Sequence, residues 1–138
     1  ELFEIRAMLE QLATTKAVPH LTARDFDALE AVVSEMDDLY LEGQFDVAQF
    51  AGLNARFHGL IYERSGRPLL TAQIRDRRVQ VQHYLHRYMH LVHDGQILNN
   101  EHRLLLNLAR SGRAELAASV AAGAGSTMRS PCNPASTW

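Results

Sequence analysis

Apolar positions recur at helical spacing along almost the whole chain. From residue 1 to 18, Leu2, Ile5, Leu9, Leu12, Ala13 and Ala17 form one stripe, and Pro19 stops it. Thr22 has the chemistry of an N-cap, with Asp25 at the third helical position. Leu29, Val32, Val33, Met36 and Leu39 carry the second helix on to Gly43. Asp46 caps a third, with Phe50, Leu53, Phe57, Leu60 and Ile61 leading to Ser65-Gly66. Pro68 opens a long fourth helix to about residue 93, since proline is favoured in a first turn. Asp94-Gly95 breaks the pattern, and a fifth helix runs from about Ile97 to Ala109. Ser111-Gly112 separates it from a short sixth, Arg113 to about Ala122. Strand signals are almost absent. The pattern predicts an all-α fold: an antiparallel helical bundle of about six helices with short connections.

After Gly123 the composition shifts to Gly, Ser, Thr, Asn and Pro, too polar to order itself by burial. A helical domain over residues 1–125 is therefore expected, with residues 126–138 as a loose tail.

Several polar side chains fall on the apolar faces. A helix advances about 100° per residue, so positions four apart project together. Phe50, Asn54, Phe57, His58 and Ile61 share a face of the third helix, and Leu98, His102, Leu105, Leu106 and Ala109 share one on the fifth. On the first helix Arg6 lies with Leu2, Leu9 and Ala13, and on the fourth Arg78 and Gln82 lie with Val81, Leu85, Met89 and Val92. Buried polar and charged groups need partners. A shared central polar pocket would satisfy all of them together. Taken singly, each has a plainer reading: a satisfied core histidine, or an arginine that snorkels to the bundle end. His83, His86, His90 and His93 form a stripe on the fourth helix, centred about 100° from Arg78 and so outside the pocket face.

Composition narrows the classes of function. The chain has 138 residues, 46% hydrophobic and 22% charged, which suits one globular domain. A formal net charge of −2 argues against a nucleic-acid surface built from average charge. No apolar run reaches the length of a membrane span, no signal-peptide pattern opens the chain, and no membrane partner is expected. Cys132 is the single cysteine, which excludes an internal disulfide and suits a reducing, cytoplasmic setting.

The run Glu1-Leu2-Phe3-Glu4-Ile5-Arg6-Ala7-Met8-Leu9-Glu10 is followed by Asn54-Ala55-Arg56-Phe57-His58 and Ser65-Gly66-Arg67-Pro68-Leu69-Leu70. Glu101-His102 and then Ser111-Gly112 come next. In this order and spacing the landmarks resemble the effector-binding and dimerisation domain of FadR-type GntR transcription regulators, the all-helical FCD domain. The resemblance covers roughly residues 1–122. It implies a helical bundle around a small-molecule pocket, a homodimer, and a small carboxylate effector. It also implies a divalent metal, with Asn54, His58 and His102 at ligand positions, and Arg6 and Arg78 facing the effector; imidazole ligands suit zinc or nickel. Gln82, on the face of Arg78, joins that effector-binding set.

Two departures matter. Where the family places a last ligand histidine, this chain has Gly123 and Ala124, and Asn54 is neutral where a carboxylate is commoner. Without metal, His58, His102 and Arg6 could still bind a carboxylate directly. The winged helix-turn-helix domain that precedes this one in the family is not expected within these residues, and DNA contact is expected only through that domain. The leading expectation is a ligand-sensing module of a regulator. The alternatives are a structural dimerisation module with a degenerate pocket and, less supported, a metalloenzyme, for which no general base stands at a suitable spacing.

Overall fold

The computed structural model describes residues 1–41, 46–89 and 95–123, with side chains described for 1–39, 46–81 and 99–123. The element order is α1 (Leu2–Ala17), a 3-10 turn (Val18–His20), α2 (Ala23–Leu41), α3 (Val47–Glu63), α4 (Pro68–Met89), α5 (Gly95–Arg110) and α6 (Ala114–Gly123). The described residues hold no strand, as the all-α pattern requires. The segment containing Gly43, the expected end of the fourth helix and the tail at 126–138 lie outside the described residues.

Local chemistry sets the boundaries. Thr22 and Asp25 form a reciprocal capping box: the Thr22 amide and hydroxyl both donate to Asp25 Oδ2 at 2.8 Å, and the Asp25 amide donates to Thr22 Oγ1 at 3.4 Å. Arg64 clamps the same carboxylate from the end of α3, its Nη2 donating to Asp25 Oδ1 at 2.6 Å. These bonds, led by the Thr22 amide, hold the Asp25 carboxyl below the usual range. Asp46 caps α3 by accepting from the amides of Ala48 and Gln49 at 2.8 and 3.2 Å. Between α5 and α6, Gly112 takes φ 73°, a left-handed conformation that glycine adopts without steric cost.

All six helices meet in one core. Leu29, Val32 and Met36 of α2 pack with Phe57 and Ile61 of α3, Ile74 of α4, Leu105 and Leu106 of α5, and Ala13 and Ala17 of α1; Ala121 of α6 closes it. Helix α2 lies against α3 and α5, while α1 packs on α6, α4 and α3. Asn99 of α5, fully buried, ties that helix to α2 by donating to the Val33 carbonyl at 3.2 Å and to Asp37 Oδ1 at 2.6 Å.

Helix α1 corrects the sequence reading. Ile5 and Leu12, assigned to the inward stripe, are 42% and 41% exposed. The buried face is instead Arg6, Glu10, Ala13, Thr14 and Ala17. The physical reason is that α1 has two kinds of neighbour. Its C-terminal half sets small residues near the buried alanines of α6 (Ala117, Ala118 and Ala121), which allows a close approach. Its N-terminal half faces a polar group on α4. Thr14 satisfies its hydroxyl within the helix, donating to the Glu10 carbonyl at 2.8 Å.

Candidate functional site

Four helices contribute to one buried polar cluster. From α1 come Arg6, 6% exposed, and Glu10, with no exposure at all. Helix α4 adds Arg78, whose Nε donates to Glu10 Oε1 at 2.8 Å. Arg6 Nε lies 3.7 Å from the same oxygen, close enough for an ion pair and too far for a hydrogen bond. A single carboxylate thus faces two guanidiniums. Burial lowers the Arg6 pKa, with Glu10 opposing and Arg78 adding to the fall. For Arg78 burial acts downward, but Tyr62 and Glu10 outweigh it and the pKa rises. Both stay charged at neutral pH, as guanidinium chemistry dictates.

Helix α3 supplies His58 and Tyr62, one turn apart and both buried. The Tyr62 hydroxyl and His58 Nδ1 are 3.3 Å apart, and the Arg78 guanidinium lies over the Tyr62 ring, 5.8 Å from its centroid. Burial, reinforced by Glu10, raises the Tyr62 pKa, so the phenol keeps its proton. Burial is also the largest influence on His58 and holds its pKa well below the ordinary value, with Arg78, His102 and Arg6 all acting in the same sense. The ring is therefore neutral. When Tyr62 donates to Nδ1, the proton of His58 sits on Nε2, which becomes a donor.

His102 of α5, 4% exposed, completes the cluster. Its ring centroid is 5.4 Å from that of His58, and its Nε2 is 2.9 Å from Oδ1 of Asn54. Phe57 stands edge-on to both imidazoles, at 5.4 Å from His58 and 4.8 Å from His102, and gives the cluster an apolar wall.

Of the residues singled out by the sequence, Arg6, Asn54, His58, Arg78 and His102 lie within this connected group. The side chain of Gln82 is outside the described residues. So are those of His83 and His86, together with His90 and His93. Glu10 and Tyr62 were missed. The signal was present, since the four-residue spacing that pairs Asn54 with His58 also pairs Arg6 with Glu10 and His58 with Tyr62.

Asn54, His58 and His102 are the residues that would hold a divalent metal, and the donor set does not make a complete cation site. It offers one amide oxygen and two imidazoles. Among the described residues, no group of three His, Cys, Asp or Glu side chains is placed to bind a metal ion. Arg6 and Arg78 surround His58 with positive charge, which disfavours a cation there.

Comparison with known proteins gives the context. Residues 1–123 match the family model of the FCD domain. Over 111 residues the chain is 30% identical to the HTH-type transcriptional regulator McbR of Escherichia coli (strain K12), a match that covers 78% of this chain and 49% of that protein. The solved structure of E. coli McbR/YncC superposes with a TM-score of 0.82 at 25% identity, covering 92% of this chain and 60% of that one. The chain thus spans about half the length of the curated relative it matches. With the family model covering its whole helical region and the fold shared with a solved regulator, this chain belongs to the FCD domain family.

Proposed function

We propose that this chain is the ligand-sensing and dimerisation domain of a GntR-type bacterial transcription regulator, and that it binds a small organic acid in the polar cluster. The observation that carries this reading is the buried charge balance: Arg6 and Arg78 face one carboxylate, Glu10. Buried charge without a counter-ion is costly, and the carboxylate of a ligand would supply one through charge-assisted hydrogen bonds. His58, held neutral, offers its Nε2 proton to the same anion. Gln82, four positions along α4 from Arg78, is assigned to this ligand by helical spacing.

In the intact regulator, the ligand would favour one arrangement of a homodimer over another and so change DNA affinity through a separate winged-helix domain. Such coupling requires different ligand affinities in the two arrangements. The supporting comparison is the curated relative, named as an HTH-type transcriptional regulator. We read the domain as a cytoplasmic, non-enzymatic binding module; no helix among the described residues is long and apolar enough to cross a membrane.

The test is a thermal-shift screen of small organic acids, run with and without a chelator. A ligand at about a hundred times its Kd stabilises by about 2.7 kcal/mol, which is easily read as a rise in Tm. The expected result is stabilisation that Arg6→Ala abolishes and the chelator leaves unchanged. Stoichiometric zinc or nickel in the purified protein, lost in His58→Ala, would replace direct capture with capture through metal. A second reading, a dimerisation module with an inert cluster, draws on the Arg78–Glu10 bond, which satisfies part of the charge within the chain. It would be adopted if no acid stabilises the protein.

A further inference from the structure

Glu10 is used unevenly. Its Oε1 takes both basic neighbours, Arg78 Nε at 2.8 Å and Arg6 Nε at 3.7 Å. Its Oε2 is buried without a hydrogen-bond partner, and so is Arg6 Nε. A buried polar group left without its bond costs free energy, so such atoms call for a partner. The two are complementary, an acceptor lacking a donor and a donor lacking an acceptor. They lie on side chains one turn apart on the same face of α1. They do not satisfy each other, because the contact between the two side chains runs through Oε1 and is too long for a hydrogen bond.

We infer that Glu10 is the specificity-determining residue of the site, selecting an acid with one carboxylate and a neutral hydrogen-bond donor, a hydroxyl, on the neighbouring carbon. The inference rests on the acid-binding reading above and sharpens it. Two guanidiniums against one carboxylate leave one unit of positive charge. A single ligand carboxylate cancels it while giving Arg6 Nε its acceptor. The adjacent hydroxyl gives Glu10 Oε2 its donor. A second ligand carboxylate would bring an anion against Glu10 in a low-dielectric setting, where like charges repel strongly. An ammonium in place of the hydroxyl would add a third cation beside Arg6 and Arg78.

Isothermal titration calorimetry with four-carbon probes tests this on the whole chain. The probes are 2-hydroxybutanoate, butanoate, 2-aminobutanoate and succinate. The hydroxy acid should bind about tenfold tighter than butanoate, the difference expected for one buried hydrogen bond made or left unmade. It should also bind tighter than the amino acid and succinate. In Glu10→Gln, which keeps the shape and removes the charge, succinate should gain about tenfold relative to 2-hydroxybutanoate. Equal affinity for 2-hydroxybutanoate and butanoate overturns the inference, as does a preference for succinate or 2-aminobutanoate in the natural chain. The wild-type series decides the matter even where Glu10→Gln fails to fold. If butanoate or succinate binds, Arg6→Ala abolishes binding and the hydroxyl makes no difference, the acid-binding reading stands without this inference. If none of the four probes binds, the acid-binding reading falls and this inference falls with it.

Discussion

At the scale of single residues, burial governs the ionisation of Arg6, His58 and Tyr62 within the cluster. His58 has a native pKa well below its ordinary 6.5, so the unfolded chain takes up its proton first as pH falls. The stability His58 contributes is therefore complete above about pH 6.5 and declines as pH drops below it, at up to about 1.4 kcal/mol per pH unit, until the depressed native value is reached. Urea unfolding followed from about pH 7.5 to 5.5 should show a falling midpoint, and His58→Gln should flatten the slope. Asp25 acts in a separate, more acidic window: its native pKa is lowered from 3.8, so its contribution is lost only as pH falls below that range. Glu10 carries a large single-residue cost. Glu10→Ala would leave the buried Arg6 and the part-buried Arg78 uncompensated and should lower unfolding free energy by roughly 3–5 kcal/mol. Glu35→Ala, which breaks the exposed pair with Arg56, should cost less than about 1 kcal/mol.

At the scale of elements, the helix ends are set by side chains whose loss has a local cost. Asp46→Ala removes the acceptor for two α3 amides and should destabilise by about 1 kcal/mol in denaturant titrations. Gly112→Ala forces a Cβ into a left-handed conformation at the α5–α6 turn and should cost about 1–2 kcal/mol, although nothing lies within 4 Å of the added carbon. That difference separates backbone strain from crowding. Helix α1 shows how an element's neighbours override its pattern. Its apolar residues are spread around the helix, so an alternative face of Arg6, Glu10, Ala13, Thr14 and Ala17 could be buried instead. Helix α2 offers no such choice, because Leu29, Val32, Val33, Met36 and Leu39 define one stripe and all are buried.

At the scale of the whole molecule, the bundle brings together polar groups that no single helix could satisfy. Glu10 and Arg78 are 68 residues apart and make a direct bond, and His102 meets Asn54 across 48. The cluster joins α1, α3, α4 and α5, so a ligand bound there would contact four helices at once. Phe57, fully buried against both imidazoles, links that cluster to the apolar core. Phe57→Ala should cost about 3–5 kcal/mol, and it should weaken acid binding as well as stability, because the wall of the cluster goes with it. Calorimetry on the folded fraction would separate the two effects.

The amino-acid sequence by itself determined the class of fold, the helix boundaries at Thr22, Asp46, Pro68 and Gly112, and the faces of α2, α3 and α5. Capping, turn chemistry and helical spacing act over a few residues, so they can be read along the chain. Arg6, Asn54, His58, Arg78 and His102 were legible for the same reason, each as a polar residue on an apolar face. Only the tertiary structure decided which of them meet and which face of α1 turns inward. It also decided that Glu10 is the carboxylate between the two arginines and that Tyr62 is the partner of His58. Those outcomes depend on how helices far apart in sequence pack, and a buried charge is tolerated only where that packing delivers its counter-charge.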